Sequence, residues 1–264
     1  MTPGQLYTEY RNLSVDLLDG RVLRGIDVHE YRNNALGGEF STVHGLKAYD
    51  ELVNEVKKHC KPIGSGKYQF FRKESHNGYA VTYSQTITTW PDLQRPYIGK
   101  GTPHDIRMAL RLAVHFGLLP AVVSAIQSYC NSNIGLDCSG FAGAYYGGEW
   151  MGKGATYFRD NAKKVTRLED VRSGDAIVFQ SGVHIALIDS ITSAERESGI
   201  VYAVGCKVAE STADRMVVGG PSDGLNYTDY YLLLDDSGFK VMRSFVYNGN
   251  DSYDSPNIFV MGVS

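Results

Sequence analysis

The feature that most constrains this chain is a series of short apolar and β-branched runs crowded into its second half: Ala176–Phe179, His184–Ile188, Ile200–Ala209, Tyr230–Leu234, Phe239–Val241 and Ile258–Val263. Short runs of this composition between turn-forming residues predict strands. Helical periodicity lies ahead of them. Leu46, Tyr49, Leu52, Val53 and Val56 recur at helical spacing and stop before Pro62. Thr102-Pro103-His104-Asp105 reads as a helix start, with the pattern continuing through Met108, Leu110, Leu112, Ala113 and Phe116 to Gly117. A further apolar segment runs from Ala121 to Tyr129. Helices first and an antiparallel sheet later predict an α+β chain.

The first hundred residues are less regular. Residues 1 to about 45 read as mixed and turn-rich, and the runs KYQFFRKE and YAVTYSQTIT, joined by Ser75-His76-Asn77-Gly78, predict a two-stranded ribbon closed by an Asn-Gly turn. That ribbon carries Tyr68, Phe70, Phe71, Tyr79 and Tyr83, with Trp90 just beyond, and a lone ribbon needs a surface to pack on. Pro96–Gly101 (PYIGKG) is the best candidate for a boundary, giving an N-terminal region at 1–101 and a second domain at 102–264; the alternative is a single domain in which the first hundred residues decorate the sheet.

Composition removes several function classes. Twenty-six basic against twenty-nine acidic residues leave a net charge of −3, so no basic field exists to gather nucleic acid. The start, MTPGQLYTEYRNLSVDLLDG, lacks an apolar run followed by a small-residue cleavage site. The expectation is a chain that is cytoplasmic as synthesised, with any export by a signal-independent route. The longest apolar stretch, GLLPAVVSAI, is too short to span a bilayer. Cys60, Cys130, Cys138 and Cys206 include no CxxC pair, so neither a zinc site, a disulfide framework nor another cofactor is expected.

One cysteine stands apart, in the stretch Gly135-Leu136-Asp137-Cys138-Ser139-Gly140-Phe141. Asp137 or Ser139 can cap a helix whose first turn holds Cys138 and which Gly147-Gly148 ends. A thiol there feels the positive end of the helix dipole, which favours the nucleophilic thiolate. The small residues around it leave room for a backbone N–H to meet an oxyanion. Of the seven histidines only His184 follows Cys138, at the start of HIALID after the turn Gln180-Ser181-Gly182. It is the candidate base, and Glu210, at the end of the next strand, is the candidate third member with Ser211 as its alternate. The competing reading of Cys138, His184 and Cys206 as a metal site has no short ligand spacing behind it.

Taken together, these motifs resemble the NlpC-type papain-like cysteine peptidases and amidases, bacterial cell-wall enzymes. Asp137-Cys138-Ser139-Gly140-Phe141 is similar to their signature, Ser173–Phe179 to their Gly-Asp-hydrophobic strand, and His184–Ile188 to the strand that begins with their histidine. The resemblance covers roughly residues 102–264. In place of the tyrosine and paired glycines common before the family's cysteine, this chain has Ser128-Tyr129-Cys130-Asn131-Ser132-Asn133-Ile134-Gly135. The resemblance implies a papain-like fold, a nucleophile helix packed on an antiparallel sheet, and a Cys138–His184 pair attacking amides. Asp137 and Ser139 are then substrate-binding candidates. The expected substrate is a short peptide or muropeptide with a free end. A thiol acyltransferase or deamidase acting on a protein or lipid, and a non-catalytic binding module of the same fold, are the alternatives. The aromatic ribbon is expected to pack against the catalytic half and wall the cleft over Cys138.

Overall fold

Thr2 and Gln5 set the first element. The Thr2 side chain accepts from the Gln5 N–H while the Gln5 side chain accepts from the Thr2 N–H, a capping box that opens helix α1 (Pro3–Arg11). The computed structural model describes residues 1–32, 44–76, 79–182, 184–213, 224–236, 238–247, 250–254 and 256–262. After α1 comes a hairpin of β1 (Leu13–Asp16) and β2 (Val22–Ile26), so the stretch read as irregular holds one helix and two strands. The Thr-Pro-Gly-Gln start was the legible signal for that helix.

Helix α2 (His44–His59) follows, then β3 (Lys61–Gly64), β4 (Lys67–His76) and β5 (Tyr79–Thr88). The ribbon is therefore three-stranded, not two-stranded. Pro62 conceals β3 from a sequence reading, yet it sits on an edge strand, where a missing N–H does least harm. The Asn77-Gly78 turn and the side chains of Tyr79, Tyr83 and Trp90 lie outside the described residues. Phe70 packs edge-on against His115 at 5.1 Å and Phe116 at 6.4 Å between ring centres.

Helices α3 (Pro103–His115), α4 (Val123–Asn133), α5 (Cys138–Tyr146) and α6 (Ala155–Asn161) precede the main sheet. Thr102 and Asp105 form a second capping box at α3, and Gly117 turns the chain out of it at φ +75°. The sheet strands are β6 (Lys163–Val165), β7 (Ala176–Phe179), β8 (Ile185–Glu197), β9 (Ile200–Thr212), β10 (Gly224–Asp235), β11 (Gly238–Tyr247), β12 (Asn250–Asp254) and β13 (Ile258–Gly262). They lie in the order β12-β11-β10-β9-β8-β7-β13-β6 with antiparallel neighbours throughout, an α+β arrangement.

The sheet also bends back on itself. Lys240 of β11 bridges to Asn257 beside β13, and the Val241 N–H donates to the Pro256 carbonyl at 3.2 Å. Strands β13, β7, β8, β9, β10 and β11 thus enclose a barrel. Ile177, Ala186, Ile188, Cys206, Val208, Tyr230, Leu232, Val241 and Val260 form one core inside it. The alternate residues Val178, Leu187 and Ala209 face the helices and join a second core with Leu6, Tyr10, Ile106, Leu110 and Phe141. That second core contains residues from both sides of position 101. Helix α1 contributes to it by lying on β8, β9 and β10. Among the described residues, no helix is long and apolar enough to cross a membrane.

Candidate active site

Cys138 is the first residue of α5, and Asp137 is its N-cap, with a carboxylate oxygen accepting from the Gly140 N–H. The turn that presents the thiol is gripped by main chain from the N-terminal region. Asp137 N–H donates to the Gly99 carbonyl at 3.0 Å, Leu136 N–H to the Glu30 carbonyl at 2.9 Å, and Arg32 N–H to the Leu136 carbonyl at 3.1 Å. The packing leaves no space for side chains at two points. A Cβ on Gly140 would stand 1.9 Å from the Gly99 carbonyl oxygen, and one on Gly99, itself at φ +81°, would stand 2.0 Å from the Arg32 carbonyl oxygen. The N-terminal region thus reaches the nucleophile turn through residues 30–32 and 99–100, while Phe70 of the ribbon packs on the end of α3.

Beneath the turn sits Lys100, only 6% exposed. Its ammonium donates to Asp137 Oδ1 at 2.8 Å and Ser139 Oγ at 2.5 Å, lies 2.7 Å from Asp137 Oδ2, and reaches the Lys153 carbonyl at 3.3 Å. Asp137 and Ser139, expected at the substrate, instead turn their side chains into this internal network, where they are 3% and 4% exposed. Burial pushes the Asp137 carboxyl above its ordinary range, against the opposing pull of Lys100, Gly140 and Ser139. Sequence reasoning missed Lys100 because Pro96–Gly101 resembled a linker. Pro96, Tyr97, Ile98, Gly99 and Lys100 are all buried, and the glycines serve close packing rather than flexibility. The available signal was a lysine next to apolar Tyr97-Ile98 and flanked by two glycines.

His184 lies directly before β8, its ring edge-on to Phe179 at 5.1 Å. Strand pairing delivers its partner: Leu187 faces Ala209, which brings the head of β8 to the tail of β9. His184 Nε2 then meets Glu210 Oε2 at 2.5 Å, and the Tyr230 hydroxyl donates to Glu210 Oε1 at 2.7 Å. The imidazole also shares a hydrogen bond with the Cys138 thiol. With Nε2 committed to Glu210, Nδ1 is the nitrogen left for sulfur. Ser211, one residue along β9, points to the opposite face and donates to the Leu136 carbonyl at 2.7 Å. Glu210 therefore touches the histidine, whereas Ser211 braces the nucleophile turn.

Charge at the pair follows from these contacts. Burial pulls the His184 imidazolium down, but hydrogen bonds to Cys138 and Glu210, with their charges, outweigh it and carry its pKa up to about 10. For Glu210, which has no exposed surface, burial pushes upward, while His184, Tyr230 and the field of Arg243 bring the carboxyl below its ordinary range. Near neutral pH the arrangement carries a proton on His184 and a carboxylate on Glu210. Cys206, the third member of the metal reading, lies in the barrel core with its thiol 3.6 Å from the Tyr230 carbonyl. Among the described residues no cluster of three or more His, Cys, Asp or Glu is set to hold a metal ion. All four cysteines are unbridged and buried. No family model, curated protein or solved structure matches this chain.

Proposed function

We propose that the chain is a papain-like cysteine hydrolase of the NlpC type, cleaving amide bonds in short, peptidoglycan-derived peptides. One observation carries the reading: a single imidazole, His184, is hydrogen-bonded to Cys138 on one side and to a buried carboxylate, Glu210, on the other. A nucleophile at the head of a helix, set against a barrel that supplies the base and its partner, is the arrangement this chemistry requires. The muropeptide substrate rests on the likeness of Asp137–Phe141 and His184–Ile188 to the family motifs.

The steps follow from the charges. The reactive form we propose is a thiolate on Cys138 beside the imidazolium of His184. The thiolate attacks the amide carbonyl carbon, and the carbonyl electron pair becomes an oxyanion facing the Cys138 N–H at the head of α5, ahead of the Gly140 N–H that caps onto Asp137. As the C–N bond breaks, the amine takes the proton from His184, leaving a thioester on Cys138. A water then gives a proton to His184 and its oxygen to the acyl carbon. The thiolate leaves, the acid departs, and the ion pair is restored. Glu210 acts through the imidazole, orienting the ring and stabilising its charge.

The test offers the full chain a panel of short free-ended peptides, blocked peptides, lipid esters and protein glutamines, with Cys138→Ala as control. Amine release from free-ended peptides that vanishes in the control is the expected result. Equal release from Cys138→Ala, or turnover confined to esters or glutamines, overturns the reading.

A further inference from the structure

In the reactive form proposed above, a thiolate, an imidazolium and a carboxylate in one buried row sum to one negative charge, an unfavourable thing to leave inside a protein without a counter-charge. Arg243 supplies it. It follows Phe239 and Val241 on the inward face of β11, and its guanidinium carbon lies 4.6 Å from the centre of the Phe179 ring, whose other neighbour is the His184 ring at 5.1 Å. Tyr230 links the arginine to the carboxylate, donating to Glu210 Oε1 at 2.7 Å and accepting from the Arg243 guanidinium. Tyr230 is completely buried and its hydroxyl is spent on this link. With Arg243 included, the row of four charges is neutral.

We infer that Arg243 and Tyr230 are positioning residues of this centre, holding Glu210 as an anion against His184 from inside the barrel and so fixing the proton on the imidazole. The inference rests on Cys138 and His184 being a reacting pair. Both act through Glu210 and the imidazole. Remove Arg243, and the row regains neutrality by taking up a proton from solvent, which Glu210 accepts; the imidazolium then loses its anionic partner and holds its own proton less tightly, which disarms the nucleophile.

The experiment compares full-length wild type with Arg243→Met, Arg243→Lys and Tyr230→Phe. One readout is the side-chain NMR titration of His184; the other is the rate at which iodoacetamide alkylates Cys138 between pH 6 and pH 10. Arg243→Met is expected to lower the His184 titration by about one unit and the alkylation rate near neutral pH by about tenfold. Arg243→Lys should recover most of the loss, and Tyr230→Phe should give a smaller shift in the same direction. A merely structural role would lower the melting temperature and leave the titration where it was. An unchanged titration in folded Arg243→Met overturns the inference. Should that variant not fold, the near-isosteric Tyr230→Phe decides alone: a lowered titration supports the inference and an unchanged one overturns it. If wild type hydrolyses nothing in the panel while its His184 titration still follows Arg243, the positioning stands and the hydrolase reading falls.

Discussion

Two buried polar clusters flank Cys138, and they differ in what their last member faces. Below the turn, Lys100, Asp137 and Ser139 close on one another and on backbone, with the Lys100 ammonium bonded at 2.5–2.8 Å to its two side-chain partners. In the barrel, Glu210 and Tyr230 end on His184, which in turn meets the thiol. Both contain an ion pair with little solvent contact. One is closed and holds the backbone that carries the nucleophile; the other is open at one end and holds a proton. Burial and charge alone would not separate a scaffold from a reactive group, whereas following each hydrogen-bond chain to its terminus does.

The largest effect should come from the thiol itself. Cys138→Ala is expected to abolish amine release with the melting curve nearly unchanged, since one sulfur at 5% exposure leaves a small void. Residual turnover well above background in a folded variant would place the chemistry elsewhere. Next comes Glu210→Gln, which keeps the shape and removes the charge. Turnover should fall about 10- to 100-fold while KM changes little, because Glu210 acts on the imidazolium and not on ground-state binding.

His184 also leaves a mark on stability. Its folded pKa, raised to about 10 from 6.5, means the native state holds a proton that the unfolded chain has lost between those values. The contribution is therefore complete below pH 6.5 and disappears as pH rises through 10. Denaturant melts of wild type and His184→Gln should differ most near pH 6 and least above pH 10. A gap that does not narrow with pH would show that the imidazole is held by packing alone.

These contrasts explain what could be read in the sequence. The helices over 44–59 and 103–115 and the strand cores at 176–179 and 258–262 follow from local periodicity and capping, so they were legible. The meeting of His184 with Glu210 follows from the order of the runs as well, since His184 comes after a turn at the head of one strand and Glu210 lies near the tail of the next. Strands β8 and β9 run to 13 residues each, well past their apolar centres, because exposed Thr192–Glu197 on β8 still complete the backbone ladder. Barrel closure was invisible, because it depends on Lys240 meeting Asn257 across a return that no local pattern marks. Lys100 and Arg243 escaped for the same reason: a basic side chain is read as solvated unless its distant partner is known.

Lys100→Met sharpens the comparison from the other side. It should destabilise the fold by about 3–5 kcal/mol, the cost of leaving the Asp137 carboxylate buried without its partner. The folded fraction, however, should keep the His184 titration of wild type, because this cluster ends on backbone and not on the imidazole. Melting temperature and side-chain NMR on one sample check both halves. A shifted titration would merge the two clusters into one functional unit.

The smallest effect is expected at the ribbon, where neighbouring phenylalanines make an internal control. Phe70 is 6% exposed and sits against His115 and Phe116, while Phe71, next along β4, is 53% exposed. Deleting residues 1–101 is a poor test of the ribbon, since it also removes Leu6 and Tyr10 from the core, Lys100 from beneath the nucleophile and the Gly99 carbonyl from Asp137. A point substitution isolates it. Phe71→Ser should shift stability by no more than about 0.5 kcal/mol, as expected of an exposed site away from caps and charges. The preference for free-ended over blocked peptides should also remain, because the N-terminal segments bonded to the nucleophile turn are 30–32 and 99–100. A changed preference at unchanged stability would mean that Phe71 meets the substrate, and the ribbon would then count as a wall of the cleft.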